Sequence, residues 1–230
     1  MKKKIIIIIP ARKKSQRVKN KNLRLIGGIH LIEHTLLFSE KLKKKLNNKY
    51  DVDIFFSTDS PKLKYISKKY NNTNYLSRPS NLADHISSNF DVVLDIINHF
   101  PDRKYDCLLL LQPTSPFRSI SSVTNAISDY FNNFCKQCIF SVSRLDNPNY
   151  HFIVNNKKKT KFLDLNDQLF RVNGNFYIAN PSLLNKNKSF ISNNSIHYFT
   201  NNTFESVDID TLEDLNKAIN LYETFKKKIY

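Results

Sequence analysis

Three segments of the sequence carry groups that could act on a phosphorylated substrate. The first segment, residues 10–23, is polar and holds six Lys or Arg residues and no acid. Cations at this density neutralise a triphosphate, and Arg binds phosphate oxygens through two N–H groups at once. The simpler alternative is a solvated basic loop, which is what most charge runs are.

The second segment, residues 111–118, has the sequence Leu-Gln-Pro-Thr-Ser-Pro-Phe-Arg. Its two prolines restrict the backbone, while Gln112, Thr114, Ser115 and Arg118 offer hydrogen-bonding groups. This combination is typical of a preformed polar binding loop. The alternative is a rigid turn at the end of a strand.

The third segment is Asp208-Ile209-Asp210. In an extended segment, alternate side chains point to the same side, so both carboxylates would face one site. Two carboxylates in this arrangement suit Mg²⁺ held beside substrate phosphates. By itself Asp-x-Asp is a weak signal, because solvated acids are more common.

The apolar pattern predicts the elements that position these segments. Short apolar runs alternate with amphipathic stretches, which is typical of a doubly wound, mostly parallel α/β sheet. The predicted strands are residues 5–9, 52–56, a short strand near Tyr75, 107–111 and 139–142, and the predicted helices are 31–42, 61–70, 90–100 and 121–131. Ligands of such sheets bind beyond the carboxyl ends of the strands, where the first two segments begin.

The second half of the chain has a different rhythm. Short alternating pieces at residues 151–154, 168–170 and 176–178 are followed by a predicted strand at 195–200 and a closing helix at 212–225. We interpret residues 1–230 as a single α/β domain, with residues around 145–172 forming a small antiparallel insertion.

The net charge of the sequence indicates which kinds of molecule the protein binds. The sequence has 36 Lys and Arg against 20 acids, a net charge of +16, and residues 1–24 hold ten of the cations and no acid. Such an excess favours nucleic acid, an anionic membrane surface or a phosphorylated small molecule, although compositional bias is an alternative outside residues 1–24. Basic and aromatic residues are not interleaved, which disfavours a nucleic-acid-binding module.

The remaining composition argues against membrane and disulfide-rich classes. No stretch approaches the roughly 18 apolar residues of a membrane span. Three cysteines are too few for a disulfide framework in a chain of 230 residues, so we expect a cytoplasmic protein.

Taken together, the ordered segments resemble the N-acylneuraminate cytidylyltransferases, also called CMP-sialic acid synthetases. The resemblance extends from Ile6 to Asp214, and the basic loop is closer to this branch than to the 3-deoxy-manno-octulosonate cytidylyltransferases of the same fold. It rests on residues 10–23, Gly27-Gly28, Ser57-Thr58-Asp59, Arg78-Pro79, Leu82-Ala83, Asp91-Val92-Val93, residues 111–118, Asn173-Gly174 and residues 208–211.

The resemblance implies a Rossmann-like nucleotidyltransferase fold and transfer of CMP from CTP to a nine-carbon 2-keto sugar acid, with release of pyrophosphate. It further implies Mg²⁺ held by Asp208 and Asp210, and a homodimer in which the 145–172 insertion reaches the partner. The implied catalytic residues are Arg12, Lys21, Asp208 and Asp210; the nucleotide-binding residues are Ala11, Arg12, Ser15, Lys21, Asn22 and Arg78; the sugar-acid-binding residues are Gln112, Arg171 and Asn173.

The sequence departs from the family pattern at several positions. Lys13 and Lys14 stand where two glycines are usual, and Asn175 replaces a usual alanine. Lysines lack the backbone freedom by which glycines approach phosphate closely, but they add positive charge. We therefore expect one or both ammonium groups to contact the β- or γ-phosphate in place of those backbone contacts. The alternatives are an inactive homologue that serves as a binding or assembly subunit, and a cytidylyltransferase of the 3-deoxy-manno-octulosonate type.

Overall fold

The five isoleucines of residues 5–9 lie at the centre of a seven-stranded sheet in the computed structural model. All five are fully buried, with Ile5, Ile7 and Ile9 in one apolar cluster and Ile6 and Ile8 in another. A continuous apolar run is therefore required, because both faces of this strand are covered. The structure describes residues 1–84, 87–145, 152–154, 160–162, 169–200 and 203–229.

Strands and helices alternate through the first 144 residues, as the sequence predicts. The strands are β1 (Lys3–Pro10), β2 (Leu25–Ile26), β3 (Ile29–His30), β4 (Tyr50–Thr58), β5 (Thr73–Ser77), β6 (Cys107–Leu110), β7 (Ile139–Arg144), β8 (Phe152–Val154), β9 (Thr160–Phe162), β10 (Phe170–Ala179) and β11 (Ile196–Phe199). The helices are α1 (Leu31–Leu46), α2 (Pro61–Ser67), α3 (Asn89–Asn98), α4 (Ile120–Asp129), α5 (Pro181–Asn187) and α6 (Leu212–Ile229).

The main sheet has the strand order β11-β7-β10-β6-β1-β4-β5. Strand β1 pairs in parallel with β4 and β6, β4 with β5, and β11 with β7. Strand β10 is antiparallel to both of its neighbours. The prediction of a mostly parallel, doubly wound α/β sheet is confirmed.

The predicted small antiparallel element is confirmed, whereas the bounds of the insertion stay a prediction, since residues 170–172 belong to β10 of the main sheet. Strands β8 and β9 pair as an antiparallel hairpin within the predicted range 145–172. Residues 146–151, 155–159 and 163–168 of that range lie outside the described residues.

Helix starts follow the capping signals in the sequence. Ser60 caps α2 with its hydroxyl, which accepts a hydrogen bond from the Leu63 amide, and Pro61 occupies the first helical turn. At α3, Ser88 and Asp91 form a reciprocal capping box. Helix α2 ends at Ser67, three residues before the predicted end at Tyr70.

Strand β10 is the main difference from the predicted elements. The sequence predicts two short pieces around residues 168–170 and 176–178, but one ten-residue strand begins at Phe170 and continues through the second piece. Its register against β7 shifts between Val172 and Tyr177, and Gly174 adopts a φ of 69° there. A polar Asn-Gly pair inside a strand is the local signal of such an irregularity.

The buried His34 is expected to make the free energy of unfolding depend on pH. Its side chain is buried on α1, its Nε2 donates to the Ile26 carbonyl, and burial lowers its pKa from 6.5 to about 4. As the pH falls, His34 binds a proton in the unfolded chain before it does so in the folded chain. The free energy of unfolding should therefore fall by about 3 kcal/mol between about pH 6.5 and about pH 4.

Urea unfolding at pH 7.5 and pH 4.5 measures this loss. The variant His34→Gln should show a smaller difference between the two pH values, and His99→Gln, at an exposed histidine, should match the wild type. An equal pH dependence in all three proteins would show that His34 does not carry the effect.

Candidate active site

A cleft of about 380 Å³ opens at the carboxyl ends of β1 and β6. The three segments singled out in the sequence all contribute to it, as expected for a parallel sheet. Its lining residues are Pro10, Ala11, Arg12, Ser15, Gln16, Arg17, Lys21, Asn22, Arg78, Ser87, Ser88, Asn89, Gln112, Pro113, Thr114, Asp208 and Asp210.

One apolar residue from each of the three segments is buried in the same apolar cluster next to the cleft. Val18, Phe117 and Ile209 are fully buried and belong to the same apolar cluster. The Ile209 amide also donates to the Thr114 carbonyl at 2.8 Å. The polar residues around these three side chains are therefore held at the surface of the cleft by hydrophobic burial and by main-chain hydrogen bonding.

Several cations line the cleft. Arg12 donates from Nη1 to the Asp84 carbonyl, and Lys21 donates from Nζ to the Ile209 carbonyl at 2.6 Å. Arg78 is buried, and burial lowers its pKa against the opposing effect of the Asp59 charge. These side chains present positive charge in a partly desolvated site, where its attraction for phosphate is strengthened.

Asp208 and Asp210 both line the cleft, while Ile209 between them is buried. The predicted alternation of this segment is confirmed. Asp210 accepts charged contacts from Lys21 at 3.2 Å and Arg17 at 3.0 Å. Burial raises the pKa of Asp208, and the charge of Asp210 adds to this effect, whereas Thr114 and Lys21 oppose it.

The carboxylate pair is chemically suited to Mg²⁺. The Oδ1 atom of Asp208 is buried and has no hydrogen-bond partner among the described residues. An unpaired buried carboxylate oxygen is costly unless a cation satisfies it. Within the same part of the chain, no group of three or more His, Cys, Asp or Glu side chains could hold a metal. A metal at this pair would therefore take further ligands from phosphate and water.

Gln112 lies at the cleft opposite Gly174. A Cβ atom at Gly174 would stand 3.1 Å from Gln112 Oε1 and 3.8 Å from Asp208 Oδ2, and the φ of 69° is unfavourable for other residues. Glycine is therefore required here both for the backbone and for the approach of Gln112.

Arg171 and Asn173 do not line the cleft formed by the described residues. Asn173 is buried and donates from Nδ2 to Thr200 Oγ1 at 2.7 Å. Arg171 is exposed and donates to Ser143 Oγ and to the Ser206 carbonyl. Their contact with a sugar acid stays a prediction.

The cleft also contains residues that the sequence analysis did not single out. Ser87, Ser88 and Asn89 lie at the start of α3 and line the cleft. The capping box of α3 signals where that helix begins, but not that this end faces the cleft.

The ten cations of residues 1–24 divide between two ends of β1. Lys2, Lys3 and Lys4 precede or begin the strand, where Lys3 pairs with Asp106 and Lys2 donates to the Asn47 carbonyl. The other seven follow the strand, and three of them line the cleft. The basic excess of this region is therefore only partly directed at the cleft.

Lys13 and Lys14 are placed differently from the expectation. The Lys13 amide donates to Asp59 Oδ1 at 2.6 Å, and its side chain lines a neighbouring pocket of about 290 Å³ beside Pro61. Lys14 is exposed, and neither lysine is among the described residues that line the cleft. Neither has a positive φ, so the loop adopts its conformation without glycine at these positions.

We therefore expect the double variant Lys13→Ala, Lys14→Ala to change the KM for CTP by less than about threefold, because exposed charges interact weakly through water. Steady-state kinetics with varied CTP checks this, with Arg12→Ala as the positive control. A rise of tenfold or more in the KM for CTP of the double variant would show that these lysines contact phosphate directly.

The described part of the chain has no helix long and apolar enough to cross a bilayer. The fold is similar to that of solved nucleotidyltransferase structures. A structure titled CMP:2-keto-3-deoxy-manno-octonic acid synthetase complexed with CTP matches with a TM-score of 0.69 at 15% identity, covering 96% of this chain and 99% of that chain.

Curated proteins match at higher identity. The CMP-N,N'-diacetyllegionaminic acid synthase of Legionella pneumophila is 31% identical over 220 residues, 90% of this chain and 91% of that protein. The N-acylneuraminate cytidylyltransferase of Escherichia coli is 29% identical over 97% of this chain, which spans about half (53%) of that longer protein.

The family comparison covers nearly the whole chain. The sequence model described as Cytidylyltransferase matches residues 6–229, a range that includes every residue of the cleft. By this match and by its relative at 31% identity, the chain belongs to the cytidylyltransferase family of nucleotidyltransferase enzymes.

Proposed function

We propose that the protein transfers CMP from CTP to the anomeric hydroxyl of a nine-carbon 2-keto sugar acid, sialic acid or a related nonulosonic acid. The observation that carries the proposal is that Arg12, Lys21, Gln112 and the Asp208–Asp210 pair all line one cleft. Relatives named for legionaminic acid and N-acylneuraminate support the class of acceptor.

The nucleotide lies along the loop that follows β1. Arg12 and Lys21 bind the triphosphate, and their charges offset the negative charge that accumulates on the leaving pyrophosphate. Ala11, Ser15 and Asn22, which all line the cleft, border the ribose and phosphates. Arg78 is buried and also lines the cleft, and we assign it to the base.

Asp208 and Asp210 would hold Mg²⁺, which draws charge off the phosphates when bound. Lys21 contacts Asp210 and the Ile209 carbonyl, so it fixes this carboxylate next to the triphosphate. The cations of the loop and a metal at the carboxylate pair would both offset the negative charge of the reacting phosphate.

The sugar acid enters beside Gln112, with Arg171 and Asn173 on the adjoining strand β10 as further contacts. Its anomeric oxygen attacks the α-phosphorus of CTP and gives its proton to water, while the bond from the α-phosphorus to the oxygen that bridges to the β-phosphorus breaks and pyrophosphate leaves. Positioning supplies much of the rate enhancement in such a displacement. We include in the proposal a homodimer formed through the 145–172 insertion.

We expect CTP to be preferred over UTP by at least about a hundredfold in kcat/KM. Cytosine has an amino donor at C4 and an acceptor at N3, whereas uracil has a carbonyl acceptor at C4 and an N–H donor at N3. A site that pairs its polar groups with cytosine therefore leaves them unpaired with uracil. Initial rates with CTP, UTP, ATP and GTP at equal concentrations measure this. Similar rates with CTP and UTP would contradict recognition of the base by the residues of this cleft.

The experiment that tests the proposal is pyrophosphate release from CTP with a panel of sugar acids. The panel contains sialic, legionaminic and pseudaminic acids, with 3-deoxy-manno-octulosonate as the eight-carbon comparison. Turnover with at least one nine-carbon acid supports the proposal. Turnover with the eight-carbon acid alone, or with none, overturns it.

A further inference from the structure

Asn175 connects the two segments that form the floor of the cleft. It lies in β10 directly after Gly174 and is fully buried. Its Nδ2 donates to the carbonyls of Phe117 and Glu205, at 2.9 Å each. Phe117 belongs to the segment that carries Gln112, and Glu205 lies just before the segment that carries Asp208.

The main chain of Asn175 extends this connection. Its carbonyl accepts from Arg118 Nε at 2.7 Å, and Arg118 Nη2 donates to the Gln112 carbonyl at 2.5 Å. Arg118 is itself buried, and its Nη1 donates to Thr35 Oγ1. A continuous set of hydrogen bonds therefore runs from Asn175 to the main chain of Gln112.

The Asn175 side chain lowers the stability of the fold in one respect that an apolar residue would avoid. Asn175 Oδ1 is buried without a hydrogen-bond partner among the described residues. A buried unpaired acceptor is destabilising, so part of the stability gained from the two donated bonds is lost. Folding alone therefore gives little reason for asparagine over alanine, the residue usual here in the family that the sequence resembles.

We infer that Asn175 is a positioning residue that sets the separation between Gln112 and the Asp208–Asp210 pair. The inference rests on the proposed function, in which these groups face the sugar acid and the phosphates. Among the described residues, the Asn175 side chain has no hydrogen bond to the loop that carries Arg12 and Lys21, so the larger effect should fall on the acceptor beside Gln112.

The variant Asn175→Ala tests this inference. We expect the KM for the sugar acid to rise about tenfold, with the KM for CTP changing less than about twofold. Asn175→Asp has the same size but a carboxylate that faces two carbonyl oxygens, so its loss should be larger. A purely structural role would not separate the two KM values.

Ser141 provides a matched control, because it accepts a hydrogen bond from Phe176, the residue that follows Asn175 in β10. Ser141→Ala removes an equally buried hydrogen bond, from the Phe176 amide to Ser141 Oγ at 3.0 Å, on the side of β7. This variant should lower the melting temperature without raising the KM for the sugar acid. If Ser141→Ala raises that KM as much as Asn175→Ala, or if neither does, the inference is wrong.

Amide hydrogen exchange at Ile209 supplies a readout that does not depend on turnover. The Ile209 amide donates to the Thr114 carbonyl across the same two segments, so its exchange should accelerate in Asn175→Ala and not in Ser141→Ala. A wild type without turnover on any sugar acid overturns the proposed function. Unchanged exchange in Asn175→Ala overturns the positioning role separately.

Discussion

Replacing either Asp208 or Asp210 by alanine is expected to lower kcat about 10²-fold or more. Each carboxylate lines the cleft, and Asp208 Oδ1 is a buried oxygen without a hydrogen-bond partner in the described residues. Loss of a metal at this pair removes charge stabilisation worth several kcal/mol. Steady-state turnover with saturating CTP and sugar acid measures the effect.

Glu213→Ala is the matched control, because Glu213 is an exposed acid that pairs with Lys217 close to the same segment. This variant should retain wild-type turnover. EDTA should abolish activity, and excess Mg²⁺ should restore it. Full activity in EDTA, or in the double alanine variant, would contradict a metal at Asp208 and Asp210.

Replacing Lys21 by methionine should cost about 10²-fold or more in kcat/KM for CTP, whereas Arg17→Met should cost less than about fivefold. Both cations contact the Asp210 carboxylate, at 3.2 Å and 3.0 Å. Their side chains differ in exposure, 14% for Lys21 and 64% for Arg17. A charge that is shielded from solvent interacts more strongly with phosphate than one that water screens.

The comparison of these two variants uses initial rates at low CTP, where kcat/KM is measured directly. Thermal unfolding of both proteins shows whether either change disturbs the fold. Equal losses in the two variants would mean that exposure does not govern phosphate binding in this loop. Wild-type activity in Lys21→Met would remove Lys21 from the catalytic set.

Most of the sheet follows from local patterns in the sequence. The continuous run at residues 5–9 predicts a strand covered on both faces, and its place in the middle of the sheet confirms this. Ser60-Pro61 predicts the start of α2 for a local reason, since the hydroxyl caps the helix and proline fits its first turn. Such features need no tertiary information.

Strand β10 could not be predicted as one element because its irregularity depends on neighbours. The polar sequence around Gly174 interrupts the apolar pattern, so the pattern alone divides the strand. In the structure, this stretch approaches Gln112 and Asp208, and β7 on one side and β6 on the other hold the strand together across it. Tertiary contacts therefore override the local signal.

Much of the cleft was predictable because the carboxyl ends of parallel strands meet at one edge. The orientation of exposed side chains was not. Lys13 turns to a neighbouring pocket, with its main chain held by Asp59, a residue 46 positions away. Likewise, the contribution of Ser87 and Ser88 depends on where α3 packs, which no local pattern specifies.

The most direct test of the proposed activity is mass-spectrometric identification of the product formed from CTP and the panel of nine-carbon sugar acids in the presence of Mg²⁺. Cytidylyl transfer predicts a CMP-sugar ester in a one-to-one ratio with released pyrophosphate, and only when both substrates are present. CTP hydrolysis to CMP without a sugar conjugate, or the absence of any product with every acid of the panel, would contradict it.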